Sequence, residues 1–385
     1  MKRRIAVVTG TRAEYGILKL LLTKIDQHSS LELKLVVTGM HLLKKYGFTL
    51  KEIKKDGFKI AAIVRMYSEN GSDEVFYGKS LAKGVEGFTK ALARVRPDVL
   101  VVFGDRLEPL AATLAAATLR IPIAHIQGGD KTDSGHIDEP IRHSITKFAN
   151  IHFTATRKSS ERLIKMGEEP WRVHKVGALG LDSVLRQLPI SKKRLAKELN
   201  VNLKKPFIVC VYHPVHLEKE IAGAQMHEVL EALKELKIQT VILYPNNDLG
   251  SQEIIAEIRR HEDLPFIRVF KTLPHVGYIS LLRYASILIG NSSSGIIEAP
   301  SLGRPVVNIG SRNVGREHAE NVIFVRANKA TIINAIKRAL YDKNLKKMAR
   351  GCENPYGDGK ASDRIVKILS EIKIDKKLLQ KRITY

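Results

Sequence analysis

In the first half of the chain, the residues best able to do chemistry are carboxylates and arginines that follow predicted buried strands. The predicted strand 98–103 leads through one glycine into Asp105 and Arg106. The predicted strand 123–126 leads into a loop, residues 127–143, that is rich in Asp, Gly and His. Open α/β sheets place reactive groups beyond the carboxyl ends of their parallel strands. A carboxylate there can move a proton, and an arginine can hold an anion.

The loop after the second of these runs supplies four further candidates, Gln127, Asp130, Asp138 and Arg142. A loop of this composition is costly to order unless it serves a function, and perturbed acids gather in such loops. The alternative is a solvated turn in which Asp138 caps the next helix and Pro140 occupies its first turn.

An anion site is predicted where three consecutive serines follow the apolar run 287–289 and its Gly-Asn end. A helix can begin at Gly295, so Ser292 and Ser293 would lie at its N-terminus, where hydroxyls cap free N–H groups. Those N–H groups and the helix dipole attract a phosphate or diphosphate. Glu298, on the first turn, can accept hydrogen bonds from ribose hydroxyls. The alternative is an ordinary serine-capped helix.

Arg12 lies in the turn between the first predicted strand, 5–8, and a helix. It occupies the position where a dinucleotide-binding G-x-G-x-x-G motif has its second glycine, so the turn does not predict hydride chemistry. An arginine beside helix N–H groups suits a diphosphate instead. The alternative is a surface arginine that pairs with Glu14.

Two further polar residues follow strands of the second half. His213 comes directly after the predicted strand 207–212, and Asn246 comes after the strand 240–244. Because both halves collect polar residues just past their strand ends, we expect two sheets that face one another across a cleft.

The elements that must position these residues alternate between buried strands and helices, which predicts an α/β protein with two Rossmann-like domains. A final helix, 361–379, is long enough to cross back onto the first domain. The remaining predicted strands are 33–37, 150–154, 173–177, 266–270 and 306–309.

Composition agrees with a two-domain globular protein. The chain has 385 residues, of which 44% are hydrophobic, and this length is too great for one core. The net charge of +24 is spread along the chain, with one dense cluster at 376–382, so it indicates solvated faces and attraction of anionic substrates rather than nucleic-acid binding. Two cysteines, no apolar run of eighteen residues and no signal segment favour a cytoplasmic location without a membrane partner.

Six separated motifs carry a resemblance over nearly the whole chain. They are GTRAEYG at 10–16, GDR at 104–106, the segment from GGD to IRHSITK at 128–147, YHP at 212–214, YPNNDLGS at 244–251, and GNSSSGIIE at 290–298 with its tail to residue 317. In this order they resemble the hydrolysing UDP-N-acetylglucosamine 2-epimerases, the group that includes the epimerase half of the human epimerase/N-acetylmannosamine kinase and opens sialic-acid synthesis.

The resemblance implies two Rossmann-like domains of the kind found in B-type glycosyltransferases, with the UDP-sugar in the cleft. The first domain would span 1–178 and be completed by a C-terminal helix at about 365–385, and the UDP-binding domain would span 179–364. The resemblance also implies a homodimer or homotetramer. The residues that match substrate-contacting positions of the family are Arg12, Arg106, His213, Ser292, Ser293, Glu298 and Arg312, and those that match its essential acids are Asp105 and Asp138.

One position departs from the family pattern. Members often have glutamate directly before the Gly-Gly pair, and this chain has Gln127, which cannot exchange a proton near neutral pH. Asp130 is the nearest candidate to take over an acid–base role. The match of Asp138 to the family acid assumes a small insertion in the loop.

The implied reaction removes the C2 proton while UDP leaves C1, giving a glycal, and then adds water with the opposite configuration at C2. It needs a base, an acid or water-activating group, and cations at the diphosphate, but no metal or other cofactor. Asp105 and Asp138 are the acid–base candidates, and their roles stay open. The expected reaction is hydrolysis of UDP-N-acetylglucosamine to N-acetylmannosamine and UDP. The alternatives are a UDP-N,N'-diacetylbacillosamine 2-epimerase, the non-hydrolysing epimerase, and a glycosyltransferase.

Overall fold

The structure is a computed structural model that describes residues 2–44, 47–69, 75–131, 137–245 and 248–385. The chain forms two compact units. The first unit comprises Met1–Asp130, Ile137–Ser183 and Tyr356–Tyr385, and the second comprises Val184–Pro355. Within the first unit, the buried Asp182 accepts hydrogen bonds from the backbone N–H groups of Ala361 (2.9 Å) and Ser362 (2.6 Å).

Each unit contains one parallel sheet. The first sheet has the order β3-β2-β1-β4-β5-β6-β7 and the second has the order β10-β9-β8-β11-β12-β13. The strands are β1 Arg3–Thr9, β2 Leu31–Thr38, β3 Ile60–Val64, β4 Val99–Phe103, β5 Ile123–Ile126, β6 Ile151–Thr154, β7 Val173–Lys175, β8 Ile208–Val211, β9 Thr240–Leu243, β10 Ile267–Phe270, β11 Ile287–Gly290, β12 Val306–Ile309 and β13 Val322–Val325. The predicted fold class, with two Rossmann-like sheets, is confirmed.

Helices connect the strands and cover the sheets. They are α1 Arg12–Gln27, α2 Leu50–Lys55, α3 Phe76–Val95, α4 Leu107–Thr118, α5 Asp138–Phe148, α6 Arg157–Lys165, α7 Leu179–Arg186, α8 Lys192–Leu199, α9 Ala222–Leu236, α10 Ser251–Arg259, α11 His275–Tyr284, α12 Ser294–Ile297, α13 Lys329–Tyr341, α14 Lys343–Gly351, α15 Ala361–Glu371 and α16 Lys376–Leu379. No helix in the described ranges is both long and apolar enough to cross a membrane.

The sheet order fixes where polar residues can gather. In the first sheet the strand order reverses between β1 and β4, and in the second it reverses between β8 and β11. The connections leave a parallel sheet on opposite faces at such a point, which opens a crevice beyond the carboxyl ends of the two strands. Arg12 and Asp105 follow the first pair of strands, and His213 and Ser292 follow the second pair.

Two strands were missed by the sequence analysis, and both lie at sheet edges. β3 begins the order of the first sheet, and β13 ends the order of the second. Every residue of β13 is partly exposed, and so are three of the five residues of β3. Both are apolar runs in the sequence, so it is their pairing on one side only, and not their composition, that distinguishes them from the central strands.

The predicted final helix, 361–379, is wrong as a single element. α15 ends at Glu371, the backbone of Ile372 is extended, and a separate turn, α16, begins at Lys376. Asp375 caps that turn by accepting a hydrogen bond from the backbone N–H of Leu378 at 3.0 Å. Asp competes with the helical backbone for hydrogen bonds and favours an N-cap, which restarts the helix here.

Candidate active site

At the edge of the first sheet, Asp105 and Arg142 form an ion pair. Arg142 is buried, with 5% of its side chain exposed, and it also pairs with Glu139 and donates to the backbone carbonyl of Asp130 at 2.9 Å. Three predicted site residues, Asp105, Asp130 and Arg142, are thus brought together. The predicted anion-binding Arg142 is already engaged by two carboxylates, so it orients Asp105 and Glu139 rather than standing open to a ligand.

A buried histidine supports the turn that carries Asp105. His125 Nε2 lies 2.8 Å from the carbonyl oxygen of Gly104, and its Nδ1 lies 3.1 Å from the hydroxyl of Thr146. Burial lowers the pKa of His125 to about 3, so the ring is neutral. Because a carbonyl can only accept, Nε2 carries the proton and Nδ1 accepts from Thr146. A Cβ at Gly128 would come within 2.9 Å of Nδ1, so this position requires glycine.

The loop residues predicted from the sequence lie on both sides of undescribed positions 132–136. Gln127 has a left-handed backbone with φ +65°, which is uncommon for a residue with a side chain. The carboxylate of Asp130 accepts a hydrogen bond from the Ser159 hydroxyl at 2.8 Å. Asp138 is the first residue of α5, and Ile137, not Asp138, occupies the N-cap. The capping alternative for Asp138 is therefore wrong.

Arg106 belongs to a buried acidic cluster that the sequence analysis missed. Its Nε donates to Glu108 Oε2 at 3.3 Å, and Glu108 is 1% exposed. Glu14 lies nearby, and burial together with the charge of Glu108 raises the pKa of Glu14 to about 8. The cluster fits because Gly10 and Gly39 lack side chains, since a Cβ at either would approach the Glu108 side chain within 3.0 Å. The sequence did contain a signal for this cluster, namely the glutamate at position 108, just after the GDR motif.

Arg12 is the first residue of α1 and has a side chain that is 71% exposed. Its Nε lies 3.2 Å from Glu52 Oε2, so it pairs with Glu52 and not with Glu14, the partner considered from the sequence. An exposed ion pair contributes little to stability and can be exchanged for a ligand anion.

In the second unit, Asn291 ties the ends of β8 and β11 together. Its Oδ1 accepts from the backbone N–H of His213 at 2.7 Å, and its Nδ2 donates to the His213 carbonyl at 2.8 Å. Gly290 precedes it with φ +116°, and a Cβ there would lie 2.1 Å from the Val211 carbonyl oxygen. His213 and the serines are thereby held at the switch point of the second sheet.

The serine segment forms a helix of a single turn. α12 spans only Ser294–Ile297, and its N-cap Ser293 makes no side-chain capping bond. The Ser292 hydroxyl accepts from the backbone N–H of Ser294 at 3.3 Å. One turn carries little helix dipole, so the predicted dipole contribution to anion binding is weak, and hydroxyl and arginine groups must supply most of it.

Arg312 is a cation that contacts this segment. It donates to the carbonyl oxygen of Asn291 at 3.1 Å, and it forms no ion pair with a carboxylate within the described ranges. Burial and the neighbouring Arg316 lower the pKa of Arg312. The repulsion between two neighbouring arginines is relieved when an anion binds between them. The predicted Asn246 lies outside the described residues.

Glu298, at the end of α12, has a buried carboxylate oxygen. Its Oε2 has no hydrogen-bond partner in the part of the chain that the structure describes. Burial raises the pKa of Glu298 to about 7, so both protonation states are present at neutral pH. Such an acceptor can receive hydrogen bonds from ligand hydroxyls. Across the same ranges, no group of three or more His, Cys, Asp and Glu side chains is arranged to hold a metal ion.

Solved structures share this fold. UDP-GlcNAc 2-epimerase from Neisseria meningitidis, in a structure bound to UDP-GlcNAc, gives a TM-score of 0.81 with 22% identity, over 95% of this chain and 99% of that one. The UDP-GlcNAc 2-epimerase of Methanocaldococcus jannaschii, in complex with UDP-GlcNAc and UDP, gives a TM-score of 0.77 with 19% identity, over 95% of this chain and 99% of that one.

Sequence comparison gives nearer relatives. The chain is 37% identical, over the whole length of both proteins, to UDP-N,N'-diacetylbacillosamine 2-epimerase (hydrolyzing) of Legionella pneumophila. It is 34% identical to UDP-N-acetylglucosamine 2-epimerase of Neisseria meningitidis serogroup B, over 88% of this chain and 87% of the relative. The family model described as UDP-N-acetylglucosamine 2-epimerase matches residues 23–370. The resemblance found in the motifs is thus confirmed, and the chain belongs to the UDP-N-acetylglucosamine 2-epimerase family.

Proposed function

We propose that the protein hydrolyses UDP-N-acetylglucosamine to N-acetylmannosamine and UDP, with inversion at C2. The observation that carries this proposal is the Asp105 carboxylate, held by the buried Arg142 at the switch point of the first sheet. A carboxylate with a fixed orientation at this edge is suited to moving a proton at a sugar ring carbon.

We assign the binding of the uridine diphosphate to the second unit. Arg312 supplies a partly buried positive charge, Ser292 and Ser293 supply hydroxyl groups, and Glu298 supplies an acceptor for ribose hydroxyls. Arg12, Arg106 and His213 are proposed to stabilise the departing diphosphate. Arginine is suited to this work because its planar fork of N–H groups matches phosphate oxygens.

The reaction would proceed in two steps. A base removes the proton from C2, the C1–O bond breaks, and its electron pair leaves with UDP, so a C1–C2 double bond forms. Water then adds at C1 while a proton is delivered to the opposite face of C2. Asp105 and Asp138 are the proposed acid and base, in an order that stays open, and Asp130 is a further candidate because Gln127 cannot exchange a proton.

UDP-N,N'-diacetylbacillosamine is the second candidate substrate. The Legionella pneumophila protein named for that substrate matches this chain at 37% identity over both full lengths. A Campylobacter jejuni protein named GDP/UDP-N,N'-diacetylbacillosamine 2-epimerase (hydrolyzing) matches at 34% over 84% of each chain. The two candidates share the C1 and C2 chemistry and differ at C4 and C6 of the sugar, so the same carboxylates would serve either.

The setting of the reaction is part of the proposal. We infer a cytoplasmic enzyme that feeds the synthesis of sialic acid or a related nonulosonic acid and acts as a homodimer or homotetramer. These inferences follow from the family resemblance. Sedimentation velocity of the purified protein would test the assembly.

The test of function is an NMR experiment in deuterated water with UDP-N-acetylglucosamine. The expected products are N-acetylmannosamine that carries deuterium at C2 and an equal amount of UDP. Formation of UDP-N-acetylmannosamine would instead identify a non-hydrolysing epimerase. A parallel reaction with UDP-N,N'-diacetylbacillosamine identifies the preferred substrate, which is the sugar with the higher kcat/KM. No turnover of either sugar would refute the proposal.

A further inference from the structure

Three arginines of the second unit lie together near the amino ends of β11 and β12. Arg283 is in the last turn of α11, Arg304 lies two residues before β12, and Arg350 is in the last turn of α14. We call them the arginine cluster. None of the three forms an ion pair with a carboxylate within the described ranges. A charge that is taken partly out of water usually has a counter-charge beside it, so the cluster lacks one.

Contacts of the backbone around Arg304 bring the three residues together. Arg304 Nη1 donates to the carbonyl oxygen of Ala285 at 2.9 Å, and Ala285 follows Arg283 at the end of α11. The residue before Arg304, Gly303, packs on α14, since a Cβ there would lie 3.4 Å from the Cα of Arg350. Burial and the charges of Arg350 and Arg283 lower the pKa of Arg304. An anion beside the three guanidinium groups would relieve their repulsion.

Backbone carbonyls fix two of the guanidinium groups and leave further N–H donors over. Arg304 Nε donates to the carbonyl of Leu302 at 3.2 Å, and Arg283 Nη2 donates to the carbonyl of Val184 at 3.1 Å. In the part of the chain that the structure describes, no hydrogen bond is made by Arg304 Nη2, by Arg283 Nη1 or by the guanidinium of Arg350. Guanidinium groups held in place with N–H donors to spare suit phosphate oxygens.

A purely structural role accounts for only part of the cluster. Arginines often hold the last carbonyl oxygens of a helix, which explains the bonds of Arg304 and Arg283. It does not explain why Arg350 joins them or why acids are missing around it. α11 and α14 contain no Asp or Glu, and α14 also carries Lys343, Lys346 and Lys347. The surrounding charge therefore favours an anion as well.

The arrangement selects a compact anion. The three arginines come from separate elements and gather at one place, whereas a nucleic acid or a membrane surface is bound by a stripe of cations. The cluster is also distinct from the serine segment. That segment follows the carboxyl end of β11, Ile287–Gly290, and the cluster lies at the amino end of the same strand. Four residues of a strand span about 13 Å, so one phosphate cannot contact both places.

We propose that the arginine cluster is a second anion site, which binds a phosphate group through Arg283, Arg304 and Arg350. The phosphate is either the free inorganic ion or the phosphate group of a small metabolite. Binding stabilises the second unit, because the site is assembled only when α11, α14 and the start of β12 are packed together. This inference does not depend on which sugar nucleotide the protein turns over.

The test is hydrogen exchange measured by mass spectrometry while sodium phosphate replaces sodium chloride at constant ionic strength. We expect saturable protection of residues 283–288 and 302–307 in the wild type. A second titration with glycerol 3-phosphate distinguishes the sources, since the true ligand type gives half-protection at the lower concentration. Arg350→Gln should require about 10-fold more phosphate, the loss of a charge-assisted hydrogen bond.

Lys343→Gln is the matched control. It removes the same charge from the same helix at an exposed position seven residues earlier, about 10 Å along the axis. Its phosphate dependence should stay within about 2-fold of the wild type. Without phosphate, Arg350→Gln should be as stable as the wild type, because its guanidinium has no partner to lose within the described ranges.

Three results would overturn the inference. The first is no protection of either segment by phosphate or by glycerol 3-phosphate. The second is an equal shift in Arg350→Gln and Lys343→Gln, which would show a general effect of charge. The third is protection confined to residues 290–298, which would mean that phosphate binds only at the serine segment.

Discussion

Asp105 is the carboxylate whose surroundings are best defined at the edge of the first sheet. The neutral His125 donates a hydrogen bond to the turn that carries Asp105, and Arg142 fixes the orientation of the Asp105 carboxylate. Substitution by asparagine keeps the shape of the side chain and removes its ability to take up a proton. Because Arg142 keeps its ion pair with Glu139, the variant should stay folded.

For Asp105→Asn we expect kcat to fall about 100-fold or more, the usual size of a general acid–base contribution, while UDP affinity stays within about 3-fold. UDP release and calorimetry measure the two quantities. Asp98→Asn is the matched control, since Asp98 precedes the same strand at its amino end and accepts from the backbone N–H of Arg4 at 2.7 Å. Full activity of Asp105→Asn would remove Asp105 from the mechanism.

Glu298 predicts a pH dependence of nucleotide binding. Its pKa is raised to about 7 by burial, and ribose hydroxyls that donate to it require the ionised form. About a tenth of the protein is ionised at Glu298 at pH 6 and about nine tenths at pH 8. The proton must leave when UDP binds, so affinity rises with pH and levels off above the pKa.

We therefore expect the Kd for UDP to be about 10-fold lower at pH 8 than at pH 6 through this group. The phosphate of UDP titrates in the same range, so the comparison is made with Glu298→Gln, which keeps the phosphate contribution and lacks the carboxyl one. If the two proteins show the same pH profile in calorimetry, Glu298 does not bind the ribose in its ionised form.

At the scale of elements, the second site depends on a strand end that only glycine can form. Gly290 ends β11 with φ +116°, and an added Cβ would lie 2.1 Å from the carbonyl oxygen of Val211 on β8. The two strands would have to separate where Asn291 joins them. The position therefore combines a left-handed backbone with a close contact between strands.

Gly290→Ala should lower the free energy of unfolding of the second unit by about 3 kcal/mol. Gly16→Ala is the matched control, because Gly16 lies inside α1, is exposed, and has no heavy atom within 4 Å of the added Cβ. That change should raise stability by about 0.5–1 kcal/mol, the ordinary helix preference for alanine. Urea denaturation measures both, and unchanged stability of Gly290→Ala would contradict the strand-end geometry.

The elements that could be predicted from the sequence are those at the sheet centres. Runs such as 99–103 and 287–290 are buried on both faces, so their apolar residues are continuous and their ends are marked by glycine. Asp105 and Ser292 follow such ends, so their place at the sheet edges could be predicted. The edge strands β3 and β13 are apolar as well, but they are followed by Arg65 and Arg326 and not by glycine, so they lack the marker that ends these central runs.

The partners of the site residues could not be predicted. Arg142 reaches Asp105 from α5, and Glu108 enters a space left by Gly10 and Gly39, so both contacts depend on how helices pack against the sheet. Residues that come into contact only because elements pack together have no characteristic separation in the sequence. The start of α12 was predicted, but its length of a single turn was not, because a Ser-Gly start fits a helix of any length.

At the scale of the whole molecule, the C-terminal segment completes the first unit. α15 packs on α1, and the fully buried Arg172 donates to the carbonyl oxygens of Leu378 (2.8 Å) and Lys377 (2.8 Å). Lys381 Nζ lies 2.6 Å from Oε2 of Glu168, which is fully buried. Residues more than 200 positions apart in the chain thus satisfy one another's charges and hydrogen bonds.

Removal of residues 372–385 should therefore destabilise the first unit alone. Arg172 would lose the carbonyl acceptors of Leu378 and Lys377, and Glu168 would lose one of its cations. Breaking buried charged contacts of this kind costs about 3–5 kcal/mol. We expect faster hydrogen exchange in β1 and β4, with protection of β8 and β11 unchanged. Removal of Tyr385 alone, which is 87% exposed, should leave hydrogen exchange in both units unchanged.

The same truncation distinguishes the two proposed roles of the molecule, nucleotide binding and catalysis. If the second unit alone carries nucleotide affinity, the truncated protein should bind UDP within about 3-fold of wild type while turnover is lost. Calorimetry and UDP release measure the two at a temperature where the second unit is folded. A different outcome is loss of both UDP binding and turnover while β8 and β11 stay protected. The first unit would then contribute to diphosphate binding as well as to the chemistry. Arg12 and Arg106 would account for a larger share of the affinity than Arg312.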